Sequence, residues 1–145
     1  MAAMSDYLEN KLIDQIFRGQ AYTFPTTLYV GLLTAAPSDT GGGTEVTGNA
    51  YARASVTNSL ANWAGTQAAA STVASSGTSG TTSNNGSISF PTPTASWGLV
   101  THFGIYDAAT AGNLLFYGAL TIQKTINQGD TVLFPASTLS IQIDN

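Results

Sequence analysis

Apolar residues near the start of the chain recur at helical spacing. The stripe is formed by Leu8, Leu12, Ile13, Ile16 and Phe17. Ser5 or Asp6 is suited to cap the beginning of a helix, and Gly19 stands where a terminating glycine belongs. The pattern predicts one amphipathic helix over residues 5–19. Two interpretations of its apolar stripe stay open: the stripe covers part of a β-core, which we favour, or it docks onto a neighbouring subunit.

After Pro25 the pattern changes to short apolar or alternating runs separated by turn residues. We expect seven or eight strands, the clearest at 27–33, 51–56, 87–90, 99–106, 114–122, 131–134 and 139–143. Three successive glycines, Gly41 to Gly43, favour a loop over 34–48. The resulting prediction is a mainly β fold: a β-sandwich of jelly-roll-like topology with one N-terminal amphipathic helix. The chain, residues 1–145, is expected to form a single domain.

Residues 65–87 differ from the rest of the chain in composition. They carry no charge and consist almost entirely of Ala, Ser, Thr, Gly and Asn, with Val73 as their one large apolar side chain. Such a segment buries too little apolar surface to offset the entropy lost on ordering. We therefore predict that it is flexible in the isolated protein and is held still by close packing or by a partner.

Charge is scarce and unevenly distributed. Only 8% of the residues are charged, against about 25% in an average soluble domain. Five of the twelve charged side chains lie in the first 18 residues. A nearly neutral, Ser- and Thr-rich body suits a protein that works inside an assembly, since free small proteins keep soluble with mixed surface charge. The alternative is an extracellular β-domain with the same polar coat.

Composition also bears on partners. A net charge of −4 and four scattered cations argue against nucleic-acid binding, which needs clustered Lys and Arg. The chain has no cysteine, so disulfides and thiolate metal sites are not expected. No leader-like segment and no apolar run of membrane-spanning length stands in the sequence, so we expect synthesis in the cytoplasm and no membrane partner.

Candidate catalytic groups are few. His102 is the only histidine, and its nearest carboxylate in sequence, Asp107, is spaced to point to the other face of a strand. No G-x-S-x-G motif accompanies it. We predict no enzymatic activity and no catalytic residues.

Candidate ligand groups are equally sparse. Asp39 and Glu45 flank the three glycines, but two carboxylates are a thin ligand set for calcium, and the glycines lack the G-K-[ST] ending of a phosphate-binding loop. No metal or cofactor is therefore expected. Asn85-Gly86-Ser87 matches a glycosylation sequon by chance. The aromatics Tyr51, Trp63, Trp97, Tyr106 and Tyr117 suit core or interface packing, and the competing interpretation is a carbohydrate-binding face.

Three segments carry a family resemblance. Trp97 to Leu120, WGLVTHFGIYDAATAGNLLFYGAL, forms two apolar runs across a turn, which predicts a β-hairpin. Together with Ser5 to Gly19 and Leu28 to Tyr51, it resembles a family of tailed-bacteriophage virion proteins usually labelled tail fibre-like or capsid decoration proteins. The matching segments cover roughly half of the chain and are spread over its length.

The resemblance implies a structural phage protein located in the virion. Our first expectation is a capsid decoration, or cement, protein on the head surface, which bridges copies of the major capsid protein or other virion proteins. We expect a homotrimer, because a cement at the three-fold axes of a shell would match that symmetry. The alternative is a tail or tail-fibre component involved in host receptor binding.

Overall fold

The computed structural model describes residues 2–143. Its helix, α1, spans Asp6–Phe17. The strands are β1 (Ala2–Met4), β2 (Thr27–Ala35), β3 (Thr44–Glu45), β4 (Ala54–Thr57), β5 (Thr81–Ser83), β6 (Ile88–Ser89), β7 (Gly98–Tyr106), β8 (Leu114–Ile126), β9 (Leu133–Phe134) and β10 (Ser140–Gln142). The fold is therefore mainly β with one helix near the N-terminus, as the sequence predicts.

One antiparallel sheet of six strands dominates the described region. Its order is β1-β8-β7-β2, and both β3 and β4 pair with the far edge of β2. The central pair, β7 and β8, is the predicted hairpin, in which Ile105 lies opposite Phe116. Its turn is closed by the Asp107 carboxylate, which accepts hydrogen bonds from the backbone N–H and the side-chain amide of Asn113, both at 2.7 Å.

Two small antiparallel sheets, β5 with β10 and β6 with β9, complete the β structure. Ile88 and Ile141 of these sheets, with the adjoining residues Phe90 and Leu139, belong to the same buried cluster as Val30 and Ile105 of the large sheet. Removing these side chains from water is the main stabilising contribution, about 1.5–3 kcal/mol for each large one fully buried.

The structure has more strands than the sequence pattern predicts. Within residues 2–143 there are ten strands rather than seven or eight, because β1, β3 and β5 have only two or three residues each and carry no alternation to detect. The predicted loop over 34–48 includes β3, while its three glycines hold positive φ angles of 98°, 78° and 77°. L residues with a Cβ rarely adopt that conformation. The jelly-roll-like sandwich and the single domain stay predictions.

The neutral segment 65–87 contains β5 and a network of polar contacts. Gly77 N–H donates to Thr66 Oγ1 at 3.0 Å, and Ser79 Oγ donates to the Thr66 carbonyl at 2.8 Å. Most of its side chains between Gln67 and Ser79 are exposed. The segment is thus closed on itself by hydroxyl and amide groups instead of by an apolar core, and its flexibility in the isolated protein stays a prediction.

Helix α1, the helix of residues 2–143, has neither the length nor the apolar character needed to cross a membrane.

Candidate assembly surface

The helix is fixed to the large sheet at its first turn. Ser5 is the N-cap: its Oγ accepts a hydrogen bond from Leu8 N–H at 3.3 Å and donates to the Leu114 carbonyl of β8 at 2.5 Å. Its backbone N–H donates to the Leu115 carbonyl at 3.0 Å. Of the predicted apolar stripe, Leu8 is the residue that is fully buried, with 5% of its surface exposed. The beginning of the helix is therefore part of the folded body.

The second half of the helix turns its large apolar side chains outward. Ile13, Ile16 and Phe17 are 49%, 66% and 79% exposed. Their spacing of three and four residues places them on one helix face. We call these three residues the helix patch. The interpretation of the stripe as core is confirmed for Leu8 and wrong for the helix patch, whose three side chains are turned to solvent.

The residues after the helix contact it but leave the helix patch exposed. Gly19 ends the helix with a φ of 66°, and Tyr22 N–H donates to Gln15 Oε1 at 2.7 Å. The Tyr22 ring contacts Tyr7 edge-on, with centroids 6.3 Å apart, and Phe24 at 4.7 Å. These contacts fix the direction of the helix, so the patch is presented on a rigid element.

Carboxylates gather beside the beginning of the helix. The Asp39 carbonyl accepts a hydrogen bond from Asp6 N–H at 2.9 Å, and the Asp39 carboxylate accepts one from the Tyr117 hydroxyl. That hydrogen bond is the main cause that raises the pKa of Tyr117 to about 12, and the negative charges of Asp39, Asp6 and Glu9 add to it. We call Asp6, Glu9 and Asp39 the acidic cluster. The two ion pairs found in residues 2–143, Asp14 with Arg18 and Glu45 with Arg53, involve none of its members.

Comparison with known proteins identifies the family. A family model described as the podophage GP4 fiber I protein gp80 matches residues 3–142. The chain belongs to this family. No curated protein matches it. The gp80 family is one of structural phage fibre proteins, so the chain is a structural protein of a tailed-phage virion, as the resemblance in its sequence indicates.

In this gp80-family chain, the predicted candidate residues do not come together. His102 Nδ1 lies 2.8 Å from Thr101 Oγ1 on β7, whereas Asp107 is occupied in the hairpin turn. Asp39 contacts Tyr117, and Glu45 is held by Arg53, so the two carboxylates flanking the glycines have separate partners. Among residues 2–143, no three His, Asp or Glu side chains are placed to hold a metal ion.

The Glu45–Arg53 pair has a structural position that sequence reasoning did not anticipate. Arg53 donates to both carboxylate oxygens of Glu45, at 2.8 and 2.7 Å, and its guanidinium stacks 3.4 Å from the centre of the Tyr106 ring. Arg53 Nη1 also donates to the Ala108 and Ala111 carbonyls at 2.8 and 2.9 Å. One side chain thus ties β3 to the β7–β8 turn.

Several of the predicted aromatics pack inside the body. Trp97 and Tyr106 are buried, and Tyr51 packs edge-on against Trp97 with centroids 5.3 Å apart. Trp97 Nε1 donates to the Asn49 carbonyl at 3.0 Å. For these three residues the core interpretation is confirmed. The helix patch, unlike these aromatics, is exposed and is a candidate for a contact surface.

Proposed function

We propose that this virion protein is a structural subunit of a phage fibre and that it attaches to another virion protein through the helix patch. The observation that carries the proposal is the outward direction of Ile13, Ile16 and Phe17 on a helix that is anchored at its other end. The description of the matching family as a fibre protein supports the fibre rather than the head.

The physical argument concerns apolar surface. Apolar residues spaced for one helix face normally point into the core, because burial contributes roughly 25 cal/mol for each Å² removed from water. Here three large side chains of the apolar stripe, Ile13, Ile16 and Phe17, meet solvent in the single chain. Contiguous apolar side chains on an otherwise polar surface are typical of an interaction site. An amphipathic helix laid in a groove of a partner is a recurring way to satisfy them.

Capsid decoration is the second candidate, and the nearly neutral surface favours it. The 127 residues after Arg18 contain only seven charged side chains, a composition suited to close packing on a lattice. In that role a trimer would bridge copies of the major capsid protein. Each bridge would bury surface that must be re-exposed before the shell ruptures, on the usual scale of about 1,600 Å² for a specific contact.

The location and copy number of the chain in the intact particle distinguish the two candidates. The experiment is cryo-electron microscopy of particles that carry an epitope tag after Gln128, in the exposed turn between β8 and β9, bound by an antibody fragment. The fibre proposal expects a few copies at the tail vertex. Density repeated over the whole head would contradict it and support decoration.

A further inference from the structure

We infer that the partner of the helix patch is a different virion protein, and that it offers an apolar groove whose end carries Lys or Arg side chains facing the acidic cluster. This rests on the proposed function, because it names the chemistry of the surface to which the helix attaches. The argument comes from the arrangement of charge and apolar surface along α1.

The outward face of the helix changes character along its length. Glu9 precedes Ile13 by four residues and Ile16 by seven, so the three share one face. Asp6 stands seven residues before Ile13 on the same side. A partner that follows this face therefore meets carboxylates over the first turn and large apolar side chains over the last two. Asp39, bonded to Asp6 N–H, widens the acidic end.

Part of this negative charge is suited to the helix itself, since carboxylates near a helix N-terminus interact favourably with its dipole. Asp39 lies outside the helix, however, and no cation of residues 2–143 forms an ion pair with any of the three carboxylates. A docking surface that combines them with the helix patch is complementary to cations next to an apolar groove. Complementary charge at the edge of an interface speeds encounter and fixes orientation.

Within residues 2–143, a second copy of the chain offers few cations for this role. Arg53 is held by Glu45, and Arg18 is paired with Asp14 at 3.4 Å. Lys11 lies over the Tyr7 ring at 5.7 Å, and Lys124 stands near the far end of β8. Two copies joined through this face with their helices parallel would also bring two acidic clusters together. The charge pattern therefore favours a different protein as the partner over a second copy of this chain.

The test is a competition during infection. Cells infected with the phage express a tagged variant, and mass spectrometry of purified particles gives the ratio of variant to native chain. Variant one, Asp6→Asn with Glu9→Gln, removes two negative charges and leaves the helix patch intact. Its matched control, Gln123→Lys with Gln128→Lys, makes the same change in net charge at exposed positions on β8 and the following turn.

We expect variant one to be incorporated at least about fivefold less than the control, from loss of two charge contacts near the surface. Unchanged melting temperatures would show that both variants fold. Equal incorporation of variant one and the control would overturn the inference. So would a wild-type chain that is oligomeric in light scattering and becomes monomeric with Phe17→Ser.

A third variant, Ile16→Ser with Phe17→Ser, separates this inference from the proposed function. If it is excluded from particles while variant one enters normally, attachment through the helix patch stands and the basic partner surface is rejected. If it enters normally, the attachment proposal itself is rejected and the inference falls with it.

Discussion

At the scale of single residues, Asn84 is a buried polar side chain that joins distant segments of the chain. It is 0% exposed. Its amide donates to the Gly86 and Pro135 carbonyls at 2.7 and 2.8 Å, and its Oδ1 accepts from Leu139 N–H at 2.9 Å. One side chain thus joins the strand region of 81–89 to the last part of the described chain.

Asn84→Ala should therefore lower the free energy of unfolding by about 2–4 kcal/mol, because it leaves several buried backbone groups without partners. Urea denaturation measures the change. The control Asn10→Ala, at an exposed helix position, should change stability by less than about 0.5 kcal/mol. A loss for Asn84→Ala as small as that of the control would show that water replaces the amide.

Tyr117 offers a residue-level test of the acidic cluster. Its hydrogen bond to Asp39 and the nearby negative charges raise the pKa of the phenol from 10.0 to about 12. Because the pKa is raised in the folded state, the stabilisation from this contact is complete below pH 10 and is lost as the pH rises through 12. In spectrophotometric titration, Asp39→Asn should bring the ionisation of one tyrosine back toward 10. An identical titration of both proteins would place Tyr117 away from Asp39.

At the scale of elements, the turn of the β7–β8 hairpin is held by Arg53, which precedes β4 and pairs with Glu45 of β3. The Arg53 side chain is 7% exposed and the Glu45 side chain 23%. Removing one partner of a buried pair leaves the other charge uncompensated, which costs about 3–5 kcal/mol in fully buried cases. Partial exposure of Glu45 reduces that cost.

Arg53→Ala should accordingly destabilise the protein by roughly 2–4 kcal/mol and should increase amide exchange in the 107–113 turn. Arg18→Ala is the matched control, since Arg18 is 70% exposed and its pair with Asp14 should contribute about 0.5 kcal/mol or less. Comparable losses for the two variants in urea denaturation would contradict the anchoring role of Arg53.

In the neutral segment 65–87, hydrogen bonds of side-chain hydroxyls hold the chain where an apolar core is lacking. Thr66→Val removes the bonds of Thr66 with Gly77 and should speed thermolysin cleavage beside the exposed Val73. Local opening controls such cleavage. Thr47→Val, at an exposed position outside the segment, should leave the rate unchanged. Equal rates for both variants would mean that other contacts close the segment.

The sequence predicted the elements that have a long apolar pattern and missed those that do not. The hairpin was predictable because β7 and β8 are long and apolar on both faces. The pairing of β5 with β10 was not, because Thr81–Ser83 are small polar residues whose strand geometry comes from their partner. The favoured core interpretation was wrong for the helix patch for a related reason: a stripe shows that a helix has an apolar face but not which surface covers it.

At the scale of the whole molecule, the protein combines a β body that buries its own core with a helix that exposes an apolar face. The body is held by the large sheet, the two small sheets and their shared apolar cluster. The helix patch adds little to that cluster. The separation between a self-contained β body and an exposed helix patch suits a virion structural protein, because attachment can be strengthened or lost without unfolding the subunit.

The central claim is that the helix patch serves assembly rather than folding, and the variant Ile16→Ser with Phe17→Ser tests it most directly. Two quantities are needed on the same preparation: the free energy of unfolding of the isolated chain and its incorporation into particles in competition with the native chain. Leu8→Ala is the reference for a core position, with an expected loss of about 2–5 kcal/mol.

We predict that the double variant loses less than about 1 kcal/mol of stability and is incorporated at least about tenfold less than the native chain, because about 1.4 kcal/mol of lost contact is sufficient for that factor. A loss of stability similar to that of Leu8→Ala, with normal incorporation, would contradict the claim and assign the patch to the fold.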